Sequence, residues 1–524
     1  MNLYQWFIFF LGVQLIHYLG TWRLYEKAGR KGWEAAIPIY NSIVLMKIIN
    51  RPTWYTFLLF IPVINLIMFP IVWVETLRSF GKNKTIDTLL GVVTLGFYIY
   101  YINYTQDAKY IADRSLKATN TVGDTVSSLL FAVIVATLVH TYFIQPYTIP
   151  TSSLEKSLLV GDFLFVSKVN YGARTPMTAV AAPMVHDTLP LLNKKSYSSW
   201  PQLPYFRFPG FEKIKNSDIV VFNWPRDTLF NMYLPADKRY DKPIDKKTNY
   251  VKRCVGIPGD SLQIKDGIVF INGKELILPE RAKPQYSYAV TLDPQSTTDF
   301  ESVFRDLNIT DGYGFVTPER DTLTISALTF SGAEKLKSVS GITSIKRIIK
   351  KHESTIFPDE HHDHLTIPNN WSSDNYGPIY IPQAGKTVAL NAQSLPFYKT
   401  IISEYEGNKL KVVGNDIYIN DKKATSYTFK QDYYWMMGDN RHNSLDARYF
   451  GYTPENHIVG KPIFIWMSWD SNGKGINKVR WDRVFTTVNG EGQPQSYFKY
   501  FLIALGLYFV GEYFWKKRKA KKTS

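Results

Sequence analysis

The chain has 524 residues, with 61 lysines and arginines against 45 aspartates and glutamates, for a formal charge of +16. That length accommodates two or three domains, and its basic excess is not interleaved with aromatics along one face, which argues against a nucleic-acid partner. The basic residues instead flank apolar runs, as the positive-inside rule expects of a membrane protein, and Cys254 is the only cysteine, so no internal disulfide staples the fold.

Five stretches approach the roughly 20 apolar residues that a bilayer span needs: 3–22, 54–74, 88–104, 126–144 and 500–515. The first lacks the basic start of a cleavable leader and is followed by more apolar runs, which favours an anchor. The second contains Pro62 and Pro70 and reads as kinked or re-entrant. Six basic residues in Lys516–Lys522 place the tail 516–524 in the cytoplasm and residues 145–497 on the opposite side. Residues 23–53 hold six basic and two acidic residues, so they read as a cytoplasmic loop with the N-terminus outside. Four spans before residue 145 agree with that placement, whereas the basic loop 75–87 would then lie outside and fits badly. The expectation is a multi-pass protein: a multi-span region over 1–105, a span at 126–144, and a C-terminal span at 497–515.

From residue 145 to about 495, short β-branched and aromatic segments alternate with Gly, Pro, Asn and Asp, the pattern of a mainly β domain. Residues 218–224, 267–273 and 461–469 are the clearest strands. Residues 262–276 and 410–424 align without a gap, each closing its second strand with Asn-Gly or Asn-Asp, either by duplication or by shared hairpin chemistry. The β domain is expected over 145–276 and 425–495, interrupted by an α/β or β subdomain at 277–424. Within that subdomain Asp359, His361, Asp363 and His364 resemble a metal cluster, but they lie in a polar loop without metal-site spacing and read as solvated surface. No metal is expected.

Three separated segments carry chemistry: 149–162, 250–260 and 437–452. A serine hydroxyl is a poor nucleophile until a base takes its proton. A lysine serves only when burial lowers its pKa by several units. Lys252 lies in a strand-like run where Tyr250, Lys252 and Cys254 share one face, so flanking apolar bulk can dry its amine.

Together these segments resemble bacterial signal peptidase I, the membrane-anchored Ser-Lys protease. That family has a serine box just after a span, Pro-Ser-x-Ser-Met-x-Pro-Thr-Leu followed by Gly-Asp. Here Pro150 to Leu158 and Gly161-Asp162 occupy it, with Ser153 at the nucleophile position. Asp218–Phe222 matches the strand box and Lys252-Arg253 the Lys-Arg box. The final box, Gly-Asp-Asn-Arg-x-Asn-Ser-x-Asp-x-Arg, is matched by Gly438, Asp439, Asn440, Arg441, Asn443, Ser444, Asp446 and Arg448. The sequence departs at Leu154 (usually Met), Lys156 (usually Pro) and His442 (commonly Asp). The likeness covers most of 126–270 and 430–470 and leaves 1–105 and the insertion unexplained.

The resemblance implies a serine endopeptidase that removes N-terminal signal peptides after Ala-x-Ala-like sites. It implies Ser153 as nucleophile, neutral Lys252 as base, and Thr151 with the Ser153 amide as the oxyanion hole. Ser444 would aim the Lys252 amine, Asp446 and Arg448 would form a supporting ion pair, and Gly438 and Asp439 would shape the turn. Tyr147, Ile149, Leu158 and Val251 would line shallow apolar pockets for alanine, with Ser152 and Ser157 as bystanders. The stretch 172–212, rich in proline and aromatics, reads either as an interfacial loop or as a packed one. The implied partners are exported preproteins and the lipid bilayer, with the secretion machinery as a further candidate and no nucleic acid. The implied location is the inner (plasma) membrane, with the catalytic domain on its periplasmic or extracytoplasmic side. No cofactor is implied. Two rivals stand beside this reading: a membrane-bound relic that binds exported chains without cutting them, and a Ser-x-x-Lys acyltransferase of the penicillin-binding type using Ser153 and Lys156. The latter lacks a Lys-Thr-Gly element.

Overall fold

The apolar N-terminal run builds a single long helix, α1 (Leu3–Lys27), closed at its start by a capping box between Asn2 and Gln5. The structure, a computed structural model, describes residues 1–117, 121–230, 238–307, 309, 312–318, 321–353, 355–358 and 371–523; the run at 359–365 lies outside them. The chain divides into two units, one of Met1–Phe143, Ala173–Phe208 and Leu229–Lys247, the other of Ile144–Gly172, Pro209–Thr228 and Thr248–Ser524.

In the first unit α1 is followed by α2 (Tyr40–Ile48), α3 (Tyr55–Leu58), α4 (Ile64–Ser79), α5 (Thr85–Val93), α6 (Tyr98–Thr105) and α7 (Thr121–Tyr142). Among the described residues, two helices, α1 and α7, are long and apolar enough to cross a membrane. The second apolar stretch is broken between α3 and α4, where Val63 has a φ of +69°. The third, expected to span, is carried by α5 and α6, which together are apolar enough to cross and meet at a bend of 116°, the geometry of a broken span or of a re-entrant loop. Gly96 makes the reversal with a φ of +85°, and a Cβ there would sit 2.7 Å from the Trp73 indole, so glycine alone fits.

This α5–α6 pair packs against α1 and α4. Its far end returns to the end of α1, where Lys27 Nζ donates to the Gln106 carbonyl at 2.9 Å and Lys82 Nζ approaches Gln106 Oε1 at 3.4 Å. Glu75 at that end pairs with Arg51 and Arg114. At the opposite end, Trp6 Nε1 donates to the Gln202 carbonyl at 3.0 Å, and Val63 packs against Ala181 and Tyr197. The segment 173–208 thus joins this unit at these contacts, while its Trp200, Phe206 and Phe208 side chains stay exposed.

In the second unit the expected strands form. They begin with β1 (Ile144–Thr148), β2 (Asp162–Ser167), β3 (Ile219–Asn223) and β4 (Asn249–Gly256), then β5 (Ser261–Lys265), β6 (Ile268–Ile271) and β7 (Lys274–Glu275). Next come β8 (Gln285–Leu292), α8 (Phe300–Asp306), β9 (Tyr313–Phe315), β10 (Thr322–Thr329), α9 (Phe330–Lys337) and β11 (Ile342–Arg347). They form the antiparallel sheet β11-β8-β10-β9 with its own core of Val290, Leu323, Ile325 and Leu336. After it, β12 (Tyr376–Tyr380) pairs with β5, and β13 (Thr387–Ala389) and α10 (Leu395–Thr400) precede the hairpin β14 (Leu410–Val413), β15 (Asp416–Ile419), β16 (Lys422–Lys423). Residues Ile356, Tyr376, Ile401, Ile417 and Phe429 share one core with Cys254, Trp435 and Met436. The two aligned hairpins close alike: Asn272 and Asn420, both at positive φ, exchange paired hydrogen bonds with Ser261 and Lys409.

The chain ends with β17 (Ser426–Thr428), β18 (Tyr433–Met437), α11 (Ala447–Phe450), β19 (Thr453–Pro454), β20 (Ile458–Ser468), β21 (Thr486–Thr487) and α12 (Phe498–Thr523), which carries the apolar run 500–515. The main sheet has eight strands in the order β1-β2-β20-β3-β4-β18-β19, with β21 beside β20. Its central strand β3 is buried on both faces: Ile219 and Val221 enter one apolar cluster, Val220 and Phe222 the other.

Candidate active site

Ser153 sits on the single 3-10 turn Ser152–Leu154 that follows β1. Leu154 pins the turn by packing beside Ile149 and Leu158 in the apolar cluster under the sheet. Lys252 lies mid-strand on β4, opposite Val220 of β3. Across 99 residues of chain its Nζ reaches Ser153 Oγ at 2.5 Å, with Ser153 8 % and Lys252 4 % exposed. Burial pulls the Lys252 ammonium down from its ordinary value to about 8, against the upward pull of the Asp446 and Asp439 carboxylates. The amine is thus close to neutral at moderately alkaline pH, and the hydrogen-bond partner of Ser153 Oγ is Lys252 rather than Lys156. Burial pushes the neighbouring Cys254 thiol well above its ordinary value, which leaves it inert as a nucleophile.

The final box wraps the Ser153 turn. Asn440 donates its amide to the Ser153 carbonyl at 3.1 Å and its Nδ2 to the Ser152 carbonyl at 3.2 Å, while Asn443 Nδ2 donates to Ser152 Oγ at 3.1 Å. Gly438 stands between the parts: a Cβ there would lie 2.2 Å from Ser444 Oγ and 2.6 Å from the Ser153 carbonyl. Ser444 is beside the turn, but its Oγ is buried without a hydrogen-bond partner among the described residues, so the expected bond to the Lys252 amine is not made. Thr151 is exposed one residue before the turn, and among the described residues nothing accepts the Ser153 amide.

Two buried bidentate ion pairs hold this geometry. Arg253 Nε and a terminal nitrogen donate to Asp439 at 2.8 and 2.6 Å, and Arg448 does the same to Asp446 at 2.9 and 2.7 Å. Burial alone would raise both carboxyls, but the guanidinium partners hold them below the ordinary carboxylate range. Asp446 also accepts the Gly438 amide at 3.0 Å. Ser157, a bystander in sequence, donates to Asp439 at 2.6 Å.

Gln285, Ser287 and Asp374 contribute without a local signature. Gln285 at the start of β8 donates its amide to the Asp439 carbonyl, accepts from the Arg441 amide, and sends Nε2 to the Glu155 carbonyl at 2.8 Å. His442 accepts the Ser287 amide on Nδ1 at 3.1 Å, so Nε2 carries the proton toward Asp374 at 2.9 Å. The segment between the Lys-Arg box and the final box therefore braces both the nucleophile turn and the final box. Gln285→Ala strips a buried carbonyl of its donor. It is expected to cost about 1–3 kcal/mol in thermal or denaturant unfolding and to lower kcat more than it changes KM.

Lys156 has a φ of +68°. A proline ring is fixed near about −65° and cannot adopt it, so the turn here differs from one built around the family's proline. Lys156→Pro is expected to abolish folding or cleavage. Lys156→Gly is expected to keep cleavage and to raise stability by about 1 kcal/mol, because glycine takes the left-handed region without a Cβ clash. Thermal unfolding and cleavage of the two variants check this.

Of the pocket candidates, Ile149 and Leu158 are buried, while Tyr147 and Val251 are half-buried at the edge of the same cluster. The structure brings the four together. Among the described residues no group of three His, Cys, Asp or Glu side chains could hold a metal.

A serine hydroxyl beside a desolvated lysine amine, on a mainly β unit, is an arrangement suited to hydrolysis. The family model described as signal peptidase, peptidase S26, matches residues 122–322 and 380–469, more than half of the chain. The chain belongs to that family. A family of unknown function, DUF5684, matches residues 33–113. The chain is similar to signal peptidase I of Buchnera aphidicola subsp. Baizongia pistaciae, 23 % identical over 69 % of this chain and 83 % of that one. It is similar to signal peptidase I of the Acyrthosiphon pisum subspecies, 23 % identical over 65 % and 76 %. Signal peptidase I of Rickettsia typhi is 25 % identical over 30 % of this chain and 47 % of its own.

Proposed function

We propose that this signal peptidase removes signal peptides from exported preproteins with Ser153 as nucleophile and Lys252 as general base. The observation that carries the assignment is the 2.5 Å approach of the two side chains, both buried. Ser153 Oγ attacks the scissile carbonyl as its proton passes to Lys252 Nζ. The oxyanion that forms is met by the Ser153 amide and the Thr151 hydroxyl. Collapse breaks the C–N bond, and the ammonium of Lys252 returns its proton to the departing amine, the new N-terminus. Water, deprotonated by the same amine, then hydrolyses the ester and frees the signal peptide as a carboxylate. Tyr147 and Val251, with Ile149 and Leu158 behind them, favour small side chains before the cut, consistent with Ala-x-Ala.

The protein is placed as a multi-pass protein of the inner (plasma) membrane with its catalytic unit outside the cytoplasm. Supporting this, Lys27, Lys82, Arg51 and Arg114 gather at one end of the helical unit, whereas residues 173–208, which follow β2, pack at the other. Exported preproteins and lipid are then the partners, with the secretion machinery beside them.

The test is cleavage of a precursor whose signal ends in Ala-x-Ala by the purified full-length protein in detergent. Product masses should place the cut after the second alanine. Because only the neutral amine accepts the serine proton, kcat/KM should climb about tenfold per pH unit below about 8 and level off above it. A cut elsewhere, or a rate indifferent to pH across that value, overturns the assignment.

A further inference from the structure

The helical unit holds a partly open cavity of about 430 Å³ between α1, α4 and the α5–α6 turn. Its walls are largely aromatic, including Trp6, Phe10, Phe60, Trp73 and Tyr100. Most polar side chains that reach it are already satisfied: Thr21 and Thr76 bond back to their own helices, and Gln14 accepts from Asn41. Asn65 is different. Its side-chain oxygen is buried, and among the described residues nothing donates to it. In hydrocarbon such a group is costly to leave unmade, so the site asks for a ligand that is mostly apolar and has a hydrogen-bond donor at one place.

The dimensions fit one chemistry. The lining runs along α1 from Trp6 to Thr21, about 22 Å at the α-helical rise, longer than the about 15 Å of hydrocarbon in one leaflet and so deep enough to take one acyl chain along its length. Asn65 lies two residues past Val63, at the end where Val63 packs against Ala181 and Tyr197 and Trp6 binds Gln202. The unsatisfied polar atom, Asn65 Oδ1, is thus at the end where a headgroup would sit, whereas Thr21 and Thr76, bonded to their own helices, lie toward the other.

We propose that the cavity is a phospholipid site. One acyl chain fills it, and a headgroup with a donor, an ethanolamine ammonium or a glycerol hydroxyl, bonds to Asn65 Oδ1. A choline headgroup has no donor and is selected against. The proposal rests on α1 spanning the bilayer and is independent of the Ser153–Lys252 chemistry.

The test places the full-length protein in vesicles of phosphatidylethanolamine, phosphatidylglycerol and phosphatidylcholine in equal parts, with a trace of phospholipid carrying a diazirine on its acyl chain. After irradiation, peptide mapping should find label on the cavity side of α1 and α4 at several times its density on the exposed α7 residues Leu129 and Phe131. Native mass spectrometry of detergent-released protein should find one retained phospholipid per chain, with phosphatidylcholine depleted at least severalfold. Val13→Trp, which fills the cavity, should lose the lipid, and Asn65→Leu should lose the headgroup preference, both with unchanged precursor cleavage. Label spread evenly over α1 and α7, retention without headgroup preference, or displacement of the lipid by a signal-peptide precursor would each overturn the proposal. Cleavage measured on the same samples separates that failure from a failure of the peptidase assignment.

Discussion

Lys252→Ala is expected to lower kcat/KM for a signal-peptide precursor by about 10²–10⁴-fold, the range for loss of a positioned general base, and Ser153→Ala by at least as much. The two losses should not add, because each variant removes one member of a unit that transfers a single proton. Lys252→Arg separates the chemical role from the steric one. A guanidinium keeps its charge at any working pH and cannot accept the serine proton, so arginine should rescue nothing even if it packs between β3 and β18. Precursor binding should survive in all three variants, since the apolar cluster around Tyr147 and Val251 is untouched. Cleavage by both alanine variants at the wild-type rate would place the chemistry elsewhere.

The second large effect lies one layer behind the dyad. Arg448→Met is expected to cost about 3–5 kcal/mol in unfolding, because it leaves the Asp446 carboxylate buried without its partner. Asp446 pulls the Lys252 ammonium upward and Arg448 pushes it down. Removing Arg448 alone should therefore raise the pH at which kcat/KM levels off, whereas Asp446→Asn alone should lower it. Asp446→Asn with Arg448→Met deletes both charges and should return part of the stability lost in the single variant. Chemical denaturation and pH–rate profiles of the three proteins read these effects separately. Identical profiles would mean that the pair acts on the fold and not on the amine.

The candidate catalytic groups were legible because their chemistry is written locally. A serine just past an apolar run, a lysine in a strand-like alternation and a polar box with fixed spacing each stand out over a few residues. The hairpins ending at Asn272 and Asn420 were legible for the same reason. Where identity depends on distant packing, the sequence is silent. Nothing around Gln285 marks it, because its value comes from meeting Asp439, Arg441 and Glu155, all remote in sequence. Hydropathy read residues 88–104 as one straight crossing because a bent pair of helices has the same composition as one that continues. The local sign was Gly96, which the Trp73 indole makes obligatory only once the fold exists. Ser444 was expected to hold the lysine amine; the structure brings it beside Gly438 but leaves its hydroxyl unpaired.

The bonds from Asn440 to the nucleophile turn also set a timetable for synthesis. Lys252 meets Ser153 across 99 residues, and Asn440 meets Ser152 across 288. At about 5–20 residues per second, a ribosome takes roughly ten to forty seconds to pass from Lys252 to the final box. Throughout that interval α1 and α7 are already made, while the turn that holds the serine still lacks Asn440, Gly438 and the paired carboxylates. If Ser153 and Lys252 carry the chemistry, each new molecule stays silent while α1 and α7 are inserted, and its activity begins only when the final box has met the Ser153 turn.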